Sequence, residues 1–114
     1  MEIEKLNCGH VVLVRVSGSL DEENVCNLRL AIADYIKRKK NYVVLNLQEV
    51  DMMDQVAAGY LLECLQMARR KGGDLKLVKP STFIEQLFRF IGIWHYFEIY
   101  TNEMNAVDAF KLAA

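Results

Sequence analysis

The chain has 114 residues, of which 53% are hydrophobic and 25% are charged. This size and composition are typical of one globular domain, which we place over residues 1–114, and they exclude a disordered chain. The formal net charge of −1 arises from 15 acidic and 14 basic side chains. It excludes the general positive field that nucleic-acid-binding proteins use.

No apolar run approaches the roughly 18 to 20 residues that a membrane span requires. The first five residues lack the basic start and apolar core of a secretion signal. We therefore expect a cytoplasmic protein without direct membrane insertion. Cys8, Cys26 and Cys64 are spaced too widely to pair as metal ligands or redox partners. We expect reduced, mostly buried thiols, with surface thiols as the alternative.

The first half of the chain contains three predicted strands and one predicted helix. Ser19 and Asp21 are both candidate N-caps of that helix, and Glu22 stands at capping-box spacing from Ser19. Apolar side chains recur at helical spacing behind them, which predicts one buried helix face. In chain order the elements are a strand over 2–7, a turn at Gly9, a strand over 11–16, a helix over 21–39 and a buried strand over 42–47.

The second half alternates helices with short strands. Gly72 is placed to end one helix in the left-handed conformation, and Ser81 follows the only proline as an N-cap. The alternation predicts parallel strands with right-handed crossovers, after an antiparallel hairpin formed by the first two strands. This is an α/β fold with a mixed, mostly parallel sheet of four to five strands and about four helices. The remaining elements are a helix over 56–71, a strand over 75–78, a helix over 81–91, a strand over 97–100 and a last helix capped by Asn102.

Two kinds of side chain cluster along the chain. Basic residues fill 37–40 and 69–71, at predicted helix C-termini. We favour their role as partners of the helix dipole over a phosphate-binding patch. Seven of the eleven aromatic residues lie within 83–100. We favour an aromatic core there, and the alternative is an exposed patch for a partner or for a second copy in a homodimer.

Between Ser19 and Ser81 the chain has neither serine nor threonine, and this gap contains the segment of greatest functional interest. An apolar run from Tyr42 enters an acidic turn, and a predicted helix follows directly. Such a turn lies at the carboxyl end of a strand and the amino end of a helix, where open α/β sheets bind ligands and partners. A hydroxyl there would be a candidate phosphoacceptor, but this chain has Gln55, Val56, Ala57 and Ala58.

Six segments, in order, resemble the STAS domain, the sulfate-transporter and anti-sigma-factor-antagonist module, over nearly the whole chain. The resemblance implies a β-α superhelix whose usual role is to bind a partner, often a histidine-kinase-like anti-sigma factor. The matching segments are Val14–Asp21, Val43–Val50, Met53–Asp54, Gly72–Val78, Phe88–Ile93 and the start of the last helix around Ala106.

The chain departs from the family at its switch. Members that switch carry Asp-Ser-Ser-Gly or Asp-Ser-x-Gly, and the kinase phosphorylates a hydroxyl there. This chain keeps Asp54 but has Gln55 and Val56 at the two hydroxyl positions and Ala57 at the glycine. Asn46 likewise stands where the central strand often carries aspartate. Amide and alkyl groups cannot accept a phosphate, so Gln55 and Val56 are degenerate phosphoacceptor positions.

The resemblance implies an anti-sigma-factor-antagonist-like regulator that binds a kinase-like anti-sigma factor or another STAS protein without being phosphorylated at this loop. The alternative is a structural STAS subunit of a multi-protein scaffold or a membrane lipid-transport complex. Asp54 has two open interpretations, a plain helix cap or a contact that orients the loop and meets the partner. The predicted partner-binding residues are Asp21, Asp54, Gln55, Val56, Ala57, Ala58, Gly59 and Leu62.

Neither a catalytic nor a metal site is predicted. His10 and His95 lie far apart in sequence, and no serine or cysteine has a nucleophile signature around it. Asp51 and Asp54 are too few carboxylates for a divalent cation, so we interpret them as loop acids in contact with water. No glycine-rich phosphate cradle is present. We therefore predict a protein that is not an enzyme and has no cofactor.

Overall fold

Five strands form one sheet in the computed structural model, which describes the backbone of residues 1–113 and the side chains of residues 1–111. The strands are β1 (Glu2–Cys8), β2 (Val11–Leu20), β3 (Tyr42–Met53), β4 (Asp74–Val78) and β5 (Ile99–Tyr100). The helices are α1 (Val25–Lys37), α2 (Gln55–Arg70), α3 (Thr82–Phe90) and α4 (Glu103–Ala113), and a 3-10 turn over Trp94–Tyr96 precedes β5.

The strands lie in the sheet in their chain order, from β1 to β5. β1 and β2 form an antiparallel hairpin, whereas β2, β3, β4 and β5 run parallel to their neighbours. The predicted mixed, mostly parallel α/β sheet is confirmed. Because parallel strands end on the same side, the loops into all four helices leave from one edge, which we call the carboxyl edge. Helices α1 and α2 run back towards the opposite side, the amino edge.

Two apolar cores cover opposite faces of the sheet, because successive strand residues point to opposite sides. Val12, Val14 and Val16 of β2 belong to the larger core, which the buried sides of α1, α2 and α3 complete. Val11 and Leu13 belong to the smaller core, which α4 covers with Ala106, Val107 and Phe110. None of the helices in the described part of the chain is long and apolar enough to span a membrane.

The start of α1 is later than predicted, because the residues before it close into a hydrogen-bonded turn. The carboxylate of Asp21 accepts hydrogen bonds from the backbone N–H groups of Glu23 at 2.9 Å and Asn24 at 3.1 Å. The N-cap of α1 is Asn24, so the predicted N-cap role is wrong for Ser19 and for Asp21, although Asp21 closes the turn before the helix. The Ser19 hydroxyl donates instead to a carboxylate oxygen of Asp51 at 3.1 Å, which joins the ends of β2 and β3.

The predicted bounds of three strands are also wrong. β2 continues beyond residue 16 to Leu20, which pairs with Met53 of β3. β3 continues beyond residue 47 to Met53, because its last residues pair with the end of β2 across two irregularities in register. Such bulges bend a strand and increase its twist without ending it. The last strand is shorter than predicted, since only Ile99 and Tyr100 pair with β4.

The predicted helix caps are confirmed at three positions. Gly72 has a φ of 82°, the left-handed conformation expected after α2. The hydroxyl of Ser81 accepts a hydrogen bond from the N–H of Ile84 at 3.2 Å, at the start of α3. The side chain of Asn102 accepts one from the N–H of Asn105 at 2.8 Å, at the start of α4.

The aromatic segment divides between core and surface. Phe88 and Phe97 are buried in the larger core with ring centroids 5.3 Å apart, as the favoured interpretation expects. Phe83, Phe90 and Tyr96 are exposed. The two exposed phenylalanines are seven residues apart and therefore share one face of α3. The predicted aromatic core thus accounts for only part of this segment.

The cysteines differ in exposure. Cys64 on α2 is buried, Cys8 is half-buried and Cys26 on α1 is exposed. The prediction of mostly buried thiols is therefore wrong for Cys26, and the surface-thiol alternative applies to it. Burial raises the pKa of the Cys64 thiol from 9.0 to about 12, since an apolar site disfavours the thiolate.

We expect iodoacetamide at mildly alkaline pH to alkylate Cys26 in the folded protein and to leave Cys64 unmodified until unfolding. Because folding raises the Cys64 pKa, this thiol contributes stability that is present below the unfolded pKa near 9.0 and is lost as pH rises towards about 12. A Cys64→Ala variant lacks the ionising group and should lose this part of the pH dependence of the unfolding free energy. Equal alkylation of both thiols in the native state would contradict the burial.

Gly73 lies where the chain enters β4 against the backbone of Asn41. A β-carbon at Gly73 would overlap the carbonyl oxygen of Asn41, which already accepts a hydrogen bond from the N–H of Asp74 at 3.1 Å. We expect Gly73→Ala to lower the unfolding free energy by about 2 to 3 kcal/mol, measured by urea unfolding, because the strand start must move.

Gly59, in the middle of α2, is the matched control. A β-carbon there meets nothing within 4 Å, so Gly59→Ala should raise the unfolding free energy by up to about 1 kcal/mol through helix propensity. Similar effects of the two substitutions would contradict the close approach at Gly73.

Candidate functional site

The β2–α1 loop and the β3–α2 loop are joined at the carboxyl edge. The backbone N–H of Asp54 donates to the carbonyl oxygen of Leu20 at 3.3 Å. One carboxylate oxygen of Asp54 accepts a hydrogen bond from the backbone N–H of Glu22 at 3.0 Å. The two loops therefore form one continuous surface, and its exposed or half-exposed members, which we call the edge surface, are Asp21, Glu22, Met52, Asp54, Gln55, Val56, Gly59 and Leu62.

Asp54 is the N-cap of α2. Its backbone is extended, with φ −99° and ψ 174°, and its second carboxylate oxygen accepts a hydrogen bond from the N–H of Ala57 at 2.8 Å. This bond satisfies one of the free N–H groups at the helix start, where negative charge is also favoured by the dipole. Of the interpretations left open by the sequence, the helix cap and the loop-orienting role are both observed.

Asp21 is held within its own loop. Its backbone N–H donates to the side-chain oxygen of Asn24 at 2.9 Å, and the Asn24 amide nitrogen donates to the carbonyl oxygen of Ser19 at 2.8 Å. Together with the bonds that the Asp21 carboxylate accepts, these contacts fix the loop shape before any partner binds. The structure thus gives Asp21 a loop-shaping role, and its half-exposed carboxylate lies beside Glu22.

The predicted partner-binding residues at the start of α2 divide into two sets. Gln55, Val56 and Gly59 are exposed, and Leu62 is half-buried. The side chain of Val56 is the apolar group of this turn, with 43% of its surface exposed. Ala57 and Ala58 are fully buried, because their position on the helix points them into the core. Their side chains offer no surface to a partner, so they support the turn from beneath.

Two exposed apolar residues at the carboxyl edge are absent from the predicted partner-binding residues. Met52 at the end of β3 is 54% exposed, and Phe83 in the first turn of α3 is 46% exposed. The Met52–Met53 pair carried a usable signal, because successive strand residues point to opposite faces and only one of the two can be buried. That signal was missed because the strand was expected to end before it.

The chemistry of the edge surface is apolar and acidic. Glu22, Glu23 and Asp51 are exposed around Met52 and Val56, yet among the described residues no group of three metal-binding side chains comes together. The edge surface contains no cysteine, histidine or serine that could act as a nucleophile. The arrangement suits recognition of another surface through apolar contact with charged surroundings.

A second polar site lies on the sheet beside the start of α4, in a cleft of about 370 Å³. The Arg15 guanidinium donates to both carboxylate oxygens of Glu103 at 2.8 and 2.9 Å, and the Asn46 amide donates to the same carboxylate at 2.7 Å. The hydrogen bond from Arg15 is the main cause that lowers the pKa of Glu103. An aspartate at position 46 would place a second carboxylate there, so the asparagine suits this network.

The fold agrees with a comparison by sequence. The profile of the STAS domain matches residues 2–106. The chain belongs to the STAS domain family. It is similar over its full length to an anti-sigma F factor antagonist of Paenibacillus polymyxa, with 26% identity over 115 residues and 98% of that protein covered.

Solved STAS structures share this fold. An RsbS variant of Moorella thermoacetica superposes with a TM-score of 0.85 at 15% identity, covering 99% of this chain and 97% of the other. SpoIIAA of Bacillus in its phosphorylated form superposes with a TM-score of 0.75 at 22% identity, covering 95% and 98%. At these identities the likeness shows the fold alone, and the predicted STAS superhelix is confirmed.

We expect Asp54→Ala to lower the unfolding free energy by about 2 kcal/mol, because it removes both the helix cap and the bond to the Glu22 N–H. Asp54→Asn should lower the unfolding free energy by about half as much. An amide oxygen can still cap α2, but the amide nitrogen cannot accept a hydrogen bond from the N–H of Glu22. Urea unfolding measures both losses. Amide hydrogen exchange separates them, because the Glu22 N–H should exchange faster in both variants and the Ala57 N–H only in Asp54→Ala.

Proposed function

We propose that this chain is an anti-sigma-factor-antagonist-like binding module that is not switched by phosphorylation at the start of α2. The observation that carries the proposal is Val56, whose exposed isopropyl group occupies a phosphoacceptor position of the family beside an intact Asp54 cap. Similarity over the full chain to an anti-sigma F factor antagonist supports the regulatory class. The protein binds and does not catalyse.

The missing hydroxyl changes the electrostatics of the edge surface. A phosphate there would add nearly two negative charges beside Asp54 and the acidic β2–α1 loop. An apolar contact at this position would force such a group to lose its water on binding, which opposes association. Val56 and Gln55 accept no phosphate, so the surface keeps one charge state and the module binds constitutively.

The same surface indicates the chemistry of the partner. Met52 and Val56 offer apolar contact area, and Glu22, Glu23 and Asp51 surround them with negative charge. A complementary partner presents an apolar patch bordered by lysine or arginine. We propose a kinase-like anti-sigma factor as that partner, and the competing occupant is another STAS protein within a scaffold or transport complex.

Val56→Asp should weaken binding to the purified kinase-type anti-sigma factors of the source organism by about tenfold or more, because an unpaired carboxylate would be buried at the interface. Met104→Asp is the matched control. Met104 occupies the same cap-relative position in α4 as Val56 does in α2 and is 72% exposed, but α4 covers the opposite sheet face. Titration calorimetry measures both affinities.

Equal affinity of wild type and Val56→Asp for a bound anti-sigma factor would place the interface elsewhere. If no anti-sigma factor binds and wild type instead retains STAS proteins or transporter subunits from lysate, with Val56→Asp releasing them, the scaffold alternative replaces the regulator.

Val56→Ser tests the absent switch directly. It restores a hydroxyl two residues after the Asp54 cap, so an anti-sigma kinase that binds the chain should transfer phosphate to the variant and release it. Incubation with ATP followed by mass spectrometry of residues 54–59 should show phosphate on Val56→Ser and none on wild type. Phosphate on the wild-type segment would refute constitutive binding.

A further inference from the structure

The two basic clusters of the sequence meet at the amino edge, on the side opposite to the edge surface. The last turns of α1 and α2 lie side by side there and enclose a groove of about 690 Å³. Its floor is apolar and its rim is basic. The floor residues are Ala33, Ile36 and Met67, and the rim residues are Lys37, Lys39, Arg70 and Lys71.

We infer that this amino-edge groove is a second docking site, which takes an acidic polypeptide segment that carries an apolar side chain. All four rim cations are exposed, and no carboxylate among residues 1–111 forms an ion pair with any of them. The neighbouring cations of the same clusters differ, since Arg38 pairs with Asp34 at 3.1 Å and Arg69 with Asp74 at 2.9 Å. The rim therefore holds four cations without a carboxylate partner among the described residues, over an apolar floor.

The helix dipole accounts for only part of this arrangement. A dipole is complemented by cations near the end of a helix, which covers Lys37, Arg70 and Lys71, the C-cap residue of α2. Lys39 lies one residue beyond Arg38, the C-cap residue of α1. At the end of α3 a single cation, Arg89, occupies the last turn, and it pairs with Glu85 at 2.9 Å.

Lys39 gives an independent reason to assign a role to the rim. Helices α1, α2 and α3 end in the same Schellman hydrogen-bond pattern, which places one residue in the left-handed conformation. In α2 and α3 that residue is glycine, Gly72 and Gly92, whereas in α1 it is Lys39, with φ 65°. A lysine is disfavoured in this conformation relative to glycine. The chain therefore keeps a strained lysine on the groove, and such strain accompanies functional positions.

The shape of the groove favours a polypeptide over a membrane or a duplex. The apolar floor lies between two helix ends, so an inserted side chain can reach it while flanking carboxylates meet the rim. A flat lipid surface would contact the rim and leave the floor empty, and a DNA duplex keeps its bases stacked between two phosphate backbones, so no base enters the floor. An acidic segment with an apolar anchor uses both features.

The probe is a synthetic peptide with glutamates on both sides of a central leucine–phenylalanine pair, and its control has serines in place of that pair. We expect wild type to bind the probe better than the serine control, with severalfold weaker binding when the ionic strength rises from about 0.05 to 0.5 M. Lys37→Glu with Arg70→Glu should reduce affinity about tenfold or more. The double variant Lys79→Glu with Lys111→Glu changes the net charge equally at exposed positions away from the groove and should bind like wild type.

Lys39→Gly separates the docking role from stability. It should raise the thermal midpoint by relieving the left-handed lysine, yet weaken probe binding about threefold by removing one rim charge. Val56→Asp should leave probe binding unchanged, because the edge surface lies at the other end of the domain.

Any of four results would overturn the groove proposal. These are equal binding of the serine control, equal loss in the control double variant, unchanged affinity in Lys39→Gly, or preferential binding of wild type to phosphatidylglycerol-containing vesicles or to duplex DNA. Amide chemical shifts of wild type on adding the probe give a test without substitution. They should change at Ala33 and Met67, and a change confined to residues 54–59 would also overturn it.

Discussion

The carboxylate of Asp54 determines how the rest of the carboxyl edge is arranged. One oxygen caps α2 through the N–H of Ala57, and the other accepts from the N–H of Glu22 across the loop. Both bonds use backbone groups, so they need no serine beside them. The residues that follow, Gln55 and Val56, have no hydroxyl, so the aspartate arranges this edge without one.

On the opposite face of the sheet, polar contacts lie beneath α4 together with the apolar residues of the smaller core. Lys76 of β4 is buried, lies 4.5 Å from the ring centroid of Phe110 and bonds Glu98 at 2.8 Å. Burial disfavours its charge, but the hydrogen bond and the charges of Glu98 and Asp74 outweigh that effect and raise the pKa of Lys76. The lysine therefore remains charged beneath α4.

Local patterns in the sequence predicted the order of strands and helices and three of the caps. The apolar runs of the strands and the apolar stripes of the helices are visible in the sequence because their residues fill the two cores. Gly72, Ser81 and Asn102 end or begin helices through contacts with nearby residues, so they too are visible in a short stretch of sequence. The wrong predictions concern residues whose contacts come from distant parts of the chain. Ser19 has the spacing of a capping box, but Asp51 from the adjacent strand takes its hydroxyl. The exposure of Met52 likewise depends on pairing between β2 and β3, which no local stretch of sequence contains.

The net charge of −1 conceals a separation of charge along the domain. The edge surface combines Met52 and Val56 with exposed acids, whereas the amino-edge groove combines Met67 and Ile36 with four exposed cations. Total composition correctly argues against a general positive field, yet it cannot show that two basic runs separated by some thirty residues lie side by side. Parallel strands joined by helices bring them together, because every such helix starts at one edge and ends at the other. The same topology that gathers the loops into a recognition surface therefore also gathers the helix ends into an oppositely charged one.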